Sequence, residues 1–308
     1  MLPKRKNGVL LTMKELSLLS EGDMKTVRSR LRKLIDEERG ISTEVDYFIN
    51  QLYQDILHPR IKEIIKNETY TVNTNFNGRK LSITFHIFVC KTKKEEEMLL
   101  TTNPDAANAY SLYAENGQFL RSIVSPLLVV GGKIDILKLF DDLHHEVNHV
   151  YEQDCIGNEY KNIDLNAYVM SNLYSKQDEK RMPARLLYYG NPIEQDAFVN
   201  GLYGAVMASL KNGVYPIDKT KIEAFTAYRE LCQAYKYILD NRNNDALLRE
   251  IQINYHTKYF HYTYHRLKDR GRQAIAEFVR KINRTLQKCE KDAAKLGIRT
   301  TDIEHWLI

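Results

Sequence analysis

The chain has 308 residues, 43% of them hydrophobic and 28% charged, enough apolar material for a sizeable core, which argues against disorder or a fibre. Its net charge of +5 is mildly basic and reads as dispersed, weaker than a dedicated nucleic-acid binder carries. Four widely spaced cysteines (Cys90, Cys155, Cys232, Cys289) make no Cys-x-x-Cys pair, which argues against a cysteine-rich zinc module or a disulfide framework.

The basic start Lys4-Arg5-Lys6 is followed by an apolar run that stops at Lys14 with no small-residue cleavage site, so no secretory signal is expected. No stretch reaches the roughly 18 apolar residues of a membrane span, and a cytoplasmic chain with reduced thiols is the expectation. Residues 13–38 carry Leu16, Leu19, Val27, Leu31 and Leu34 at helical spacing, with Arg28–Lys33 as the wet face. Residues 42–66 continue the pattern, and Pro59 is expected to divide that segment into two helices. The period then falls to 2. Residues 69–76 and 81–90 flank Asn77-Gly78, a dipeptide that readily takes the positive φ angles of a tight hairpin.

After Lys91–Glu97, expected as a solvated turn, residues 109–115 and 118–124 flank a second Asn-Gly at 116–117. The apolar run 127–130 ends at Gly131-Gly132. This predicts a small, mostly antiparallel sheet of four or five strands. Residues 134–152 return to a 3.6-residue period along Ile136, Leu137, Phe140, Leu143, Val147 and Val150. Residues 157–182 read as polar and irregular. Asn191-Pro192 reads as an N-cap followed by proline at the first helical position, with helix to about Leu210. Helices are expected over 221–241, 245–269 and 272–296. The class is α+β, in three parts: an N-terminal helical segment (1–66), a core (67–210) and a C-terminal helical subdomain (211–308).

The chemistry is concentrated in His145-Glu146-Val147-Asn148-His149, the pattern HExxH on a predicted helix. Residues i and i+4 lie one turn apart on one face, so two imidazoles can reach one zinc ion. Glu146, next to the first histidine, can lean toward a metal-bound water as its base. His144 points about 100° away and reads as a supporting or surface residue.

A zinc site of this kind normally needs a third protein ligand. The extension HExxHxxGxxH fails, since Glu152 stands where glycine would be and Cys155 where the third histidine would be. Glu152 would be a poor third corner on a continuing helix. Asp154 and Glu159 are alternatives, and Glu194 is the stronger candidate. It lies in the first turn of the helix opened by Asn191-Pro192, with the small Ala197 allowing close approach to the HExxH helix.

HExxH followed by a glutamate in a downstream Glu-x-x-Ala-Phe helix resembles the zincin metallopeptidases, in their gluzincin branch. It is also similar to compact bacterial and phage zincins carrying an ExxA element. The resemblance covers about residues 118–210, and the forty-four residues between His149 and Glu194 make a longer spacer than many gluzincins have. It implies a zincin-like fold, zinc as cofactor, ligands His145, His149 and Glu194, and Glu146 as catalytic base of an endopeptidase. It also implies a peptide or protein substrate lying antiparallel to the strand before the active-site helix, at 118–124 or 127–130.

An oxyanion donor is then required, and the Tyr- and His-rich stretch 255–265 offers Tyr264 and His265 as candidates, against the simpler reading of an aromatic packing stripe. The alternative function is a zincin-folded, non-catalytic zinc-binding regulatory or interaction protein. Neither a membrane nor a nucleic acid is the expected partner.

Overall fold

The computed structural model describes residues 43–61, 63–103, 106, 109–112, 121–156, 167–214, 216–257, 260–300, 303 and 306. The helix expected over 13–38, the turn at 116–117 and the candidate ligand Glu159 lie outside these, as does the side chain of Asp154. Residues 44–308 make one compact unit of mixed α and β structure.

Helix α1 (Thr43–Gln51) does not break before Pro59. It widens into a π-helical stretch over Leu52–Leu57, where the His58 N–H donates to the Tyr53 carbonyl, and runs on through His58–Ile61. A proline removes one donor and clashes with the carbonyl four residues back, and the wider ladder accommodates both. Strands β1 (Glu68–Phe76) and β2 (Arg79–Cys90) pair antiparallel from Phe76↔Arg79, with φ of 52° at Asn77 and 70° at Gly78. This is the tight hairpin the Asn-Gly dipeptide demands.

The segment 91–97 is not a turn. Helix α2 (Lys93–Thr102) begins there, with the Thr92 hydroxyl accepting from the Glu95 N–H at 3.3 Å and the Glu95 carboxylate accepting from the Lys91 N–H at 2.7 Å. Thr-x-x-Glu is a capping signature that the density of charge concealed. The helix serves a topological need. The chain continues through β3 (Tyr110–Leu112) to β4 (Ser122–Val130), and β4 pairs with β2 in parallel, which requires a crossover.

Residues 122–130 therefore form one strand through Pro126. The sheet order is β1-β2-β4-β3, with β5 (Lys133–Ile134) also on β4, and every pairing except β2–β4 is antiparallel. Against its inner face lies a core shared by α1 and α3 (Ile136–Ile156). Ile49 and Tyr53 meet Ile83, Phe85, Ile123, Phe140, Leu143 and Val147 there, all buried.

The rest is helical. Helices α4 (Ala167–Asn172) and α5 (Asp178–Tyr189) occupy much of the stretch expected to be irregular, the buried Pro183 inside α5 having obscured its period. Helix α6 (Pro192–Lys211) starts where expected, with the Asn191 side chain accepting from the Ile193 N–H at 2.9 Å. Helices α7 (Glu223–Asp240) and α8 (Asp245–Asn254) follow.

A two-residue pairing of β6 (His256–Thr257) with β7 (Phe260–His261) then interrupts the helix expected over 245–269. From Tyr264 to Lys295 the chain is one helix, α9. Gly271 does not break it. A Cβ there would lie 2.6 Å from the Tyr235 ring and 2.9 Å from Leu186, so this glycine is an inter-helix contact rather than a stop.

Candidate metal centre

Helices α3 and α6 form the most extensive helix pairing in the fold. The small Ala197 is only the first of a series along α6, continued by Gly201, Gly204 and Ala208, all buried. A Cβ on Gly201 would lie 2.1 Å from the Asp141 Oδ1, and one on Gly204 the same distance from the His144 Nδ1. The helix backbone therefore approaches the side chains of α3 directly, which brings the first turn of α6 against the HExxH turn.

There the Nε2 atoms of His145 and His149 are 3.1 Å apart, and the Glu194 Oε2 lies 3.8 Å from the first and 3.6 Å from the second. Tetrahedral ligands at about 2.05 Å from zinc are about 3.3 Å from one another, so the three donors fit one such ion. All three residues are buried, and among the described residues no other group of His, Cys, Asp or Glu side chains is arranged to hold a metal. Glu146 is also buried, its Oε1 4.0 Å from the His145 Nε2, beside the trio and not in it. The Phe198 ring packs edge-on to His145 with centroids 4.7 Å apart, closing one side of the site to water.

The supporting residues are largely tertiary. Gln195, fully buried, donates to the Tyr189 and Ala274 carbonyls at 3.1 Å, and the Lys281 Nζ binds the Asp196 carboxylate at 2.8 Å and the Pro192 carbonyl at 3.0 Å. Both fix the turn that carries Glu194. One turn before His145, the buried Asp141 carboxylate accepts the Glu223 N–H at 2.7 Å and so caps α7 from another element. Glu152 accepts from Asn148 at 2.9 Å, and Asn148 in turn accepts from Asn200, a buried network whose carboxylate also raises the His149 pKa. His144 is no surface residue. Fully buried, it contacts the Phe140 carbonyl through Nδ1 at 2.8 Å and faces Asp46 of α1 through Nε2 at 3.4 Å.

Burial raises the Glu194 pKa, but His149, His145 and a hydrogen bond from the Tyr188 hydroxyl together hold it below the usual carboxylate range. Burial also opposes charge on His149, yet Glu194 raises its pKa to about 9, whereas burial and the neighbouring His149 keep that of His145 low. A raised histidine pKa contributes stability that is full below about pH 6.5 and is lost as pH climbs through 9. Zinc must displace that proton. Zinc uptake by chelator-treated protein at pH 7.5 is therefore expected to release at least about one proton per ion. Calorimetry in buffers of differing ionisation enthalpy measures this, and an enthalpy independent of buffer at pH 7.5 contradicts it.

Tyr264 and His265 lie elsewhere. The Tyr264 hydroxyl donates to the Ile238 carbonyl at 3.2 Å and His265 is exposed. At 1.5 Å per residue they lie about 15 Å down α9 from Ala274, the nearest point of that helix bonded to the Glu194 turn. The tyrosine at the site is Tyr188, the penultimate residue of α5, whose ring packs near Phe198 with centroids 6.4 Å apart. Only its nearness to Asn191 in sequence could have pointed to it. Strand β4, where the resemblance puts substrate, has β2 on one side and β3 and β5 on the other. On that second side β3 pairs with residues 122–124 and β5 with 129–130, and the stretch 125–127 between them is buried, which leaves a substrate strand little edge to join. Compared with protein-family models, with curated proteins and with solved structures, the chain matches none.

Proposed function

We propose that the chain is a zinc-dependent metallopeptidase with a zincin-like core. The observation that carries this reading is the buried trio of His145, His149 and Glu194 with the Glu146 carboxylate beside it on the same helical turn. His145, His149 and Glu194 would hold the ion, three protein ligands leaving a position open to other molecules. Zinc supplies Lewis acidity there, which activates water and polarises a carbonyl at neutral pH.

The chain's own residues do the rest. Glu146 takes the proton of the attacking water and later returns it to the leaving amine. A purely structural site has no use for a base in that position. Tyr188 brings a hydroxyl donor to Glu194, poised to move its hydrogen bond from that carboxylate to a developing oxyanion. Phe198 and the close α3–α6 packing keep bulk water away from the ligands.

The test is elemental analysis of the purified protein with a peptide-library cleavage assay. About one zinc per chain is expected, with cleavage that a chelator stops and added zinc restores. Glu194→Ala should weaken zinc binding about 100-fold or more, beyond the 10–100-fold typical of a residue that only supports a ligand. Stoichiometric zinc without cleavage of any peptide would move the protein to the non-catalytic zinc-binding reading. Zinc absent even after reconstitution would end both.

A further inference from the structure

We infer that the outer face of α9 is a docking surface for the phosphate backbone of a nucleic-acid duplex. The helix carries ten Lys or Arg against four Asp or Glu, a net +6, while the whole chain is only +5. The rest of the chain therefore has a slight acidic excess, and the mild basicity that looks dispersed along the sequence is concentrated on one rigid element.

It is further concentrated on one side of that element. At 3.6 residues per turn Arg280, Arg284, Lys291 and Lys295 fall within a sector of about 60° and span about 22 Å of helix axis. All four are exposed, and from Arg280 to Lys295 that sector holds no acidic residue. Arg280, Arg284 and Lys291 make no ion pair or side-chain hydrogen bond among the described residues. Lys295 pairs with Asp292 but its side chain is still 75% exposed. Like charges four residues apart, as at 280/284 and 291/295, cost a helix stability, a penalty that an external polyanion would relieve.

Helix length and burial decide which polyanion. A basic amphipathic helix holds an anionic membrane firmly by sinking its apolar face among the acyl chains, beyond the charge attraction of about 1 kcal/mol per Lys or Arg. The apolar face of α9, with Leu267, Phe278, Ile282 and Leu286, is buried inside the protein and cannot do so. A straight row of cations that meets its partner by charge alone suits a stiff, regular array of phosphates, one per 3.4 Å along each strand.

Fluorescence anisotropy of the full chain with a labelled 24-base-pair duplex of arbitrary sequence, over 50–300 mM salt, tests this. Binding is expected at low salt, with a slope of log affinity against log salt of about −3.6 for four phosphate contacts. Arg284→Glu with Lys291→Glu should weaken binding at least about tenfold and make the slope shallower by about 2. Lys93→Glu with Lys94→Glu changes net charge equally on the exposed start of α2 and should leave affinity within about threefold. Each of three results would overturn the inference: no binding at 50 mM salt, equal loss in both double variants, or stronger α9-dependent binding to phosphatidylserine vesicles than to the duplex. Unchanged circular dichroism of the exposed-site variants keeps a folding defect from imitating the expected loss.

Discussion

Replacing Glu146 by Gln is expected to lower kcat/KM on a cleaved peptide by about 10²–10⁴ while leaving one zinc bound per chain. The size is that of a general base, whose removal costs catalysis this much without touching substrate affinity to the same degree. Retention of metal follows from the geometry, since the ion is held by His145, His149 and Glu194, and the Glu146 Oε1 lies 4.0 Å from the His145 Nε2, outside that trio. Folding should survive as well. Glutamine has the shape of glutamate, and Glu146 is buried one turn after Asp142, whose pKa is raised to about 7, first by burial and in part by the charge on Glu146. Neutralising Glu146 removes one of two neighbouring buried negative charges, so Tm should hold or rise slightly. A variant that keeps its zinc and its Tm and yet cleaves at the wild-type rate would remove Glu146 from the mechanism.

What could be read before folding was what is local. HExxH needs only one helical turn, and its two histidines come together through the i, i+4 geometry of α3. The Asn191-Pro192 start and the Asn77-Gly78 hairpin are likewise decided within a few residues, and both stand as expected. The misreadings share a cause. The run 91–97 reads as a turn because the parallel pairing of β2 with β4, which requires a crossover, is not a local property. The helices expected over 245–269 and 272–296 leave Gly271 between them, because nothing in its neighbourhood announces its contacts with Tyr235 and Leu186. Tyr264 and His265 stand out as candidates only by their density of aromatic and imidazole groups, and the simpler reading of a packing stripe competes with them, whereas Tyr188 reaches Glu194 only because α5 folds back beside the start of α6. Chemistry-bearing residues on one element are legible, and those that converge from several are not.

The same contrast sets the second large effect, at a position with no chemistry of its own. Gly204→Ala is expected to destabilise the protein by about 3 kcal/mol, although alanine suits a helix interior better than glycine by about 1 kcal/mol. The new methyl would lie 2.1 Å from the His144 Nδ1 and 2.4–2.5 Å from two further ring atoms. That ring has little freedom to retreat, being fully buried, bound to the Phe140 carbonyl at 2.8 Å and stacked near the Phe140 ring. Relief must come from moving α6 away from α3. Such a movement separates Glu194 from His145 and His149, so zinc affinity should fall about tenfold or more along with Tm. Gly213→Ala provides the comparison. It has open space around it but a φ of 64°, so its strain should lower stability by about 1 kcal/mol and leave zinc affinity unchanged. Chemical denaturation gives both stabilities, and competition with a chelator gives both affinities. If Gly204→Ala lost stability but bound zinc as tightly as wild type, the helix spacing at Gly204 would not be what brings the glutamate to the histidines. A parallel loss of both would make the glycine, invisible to any reading of ligands, part of the metal centre's construction.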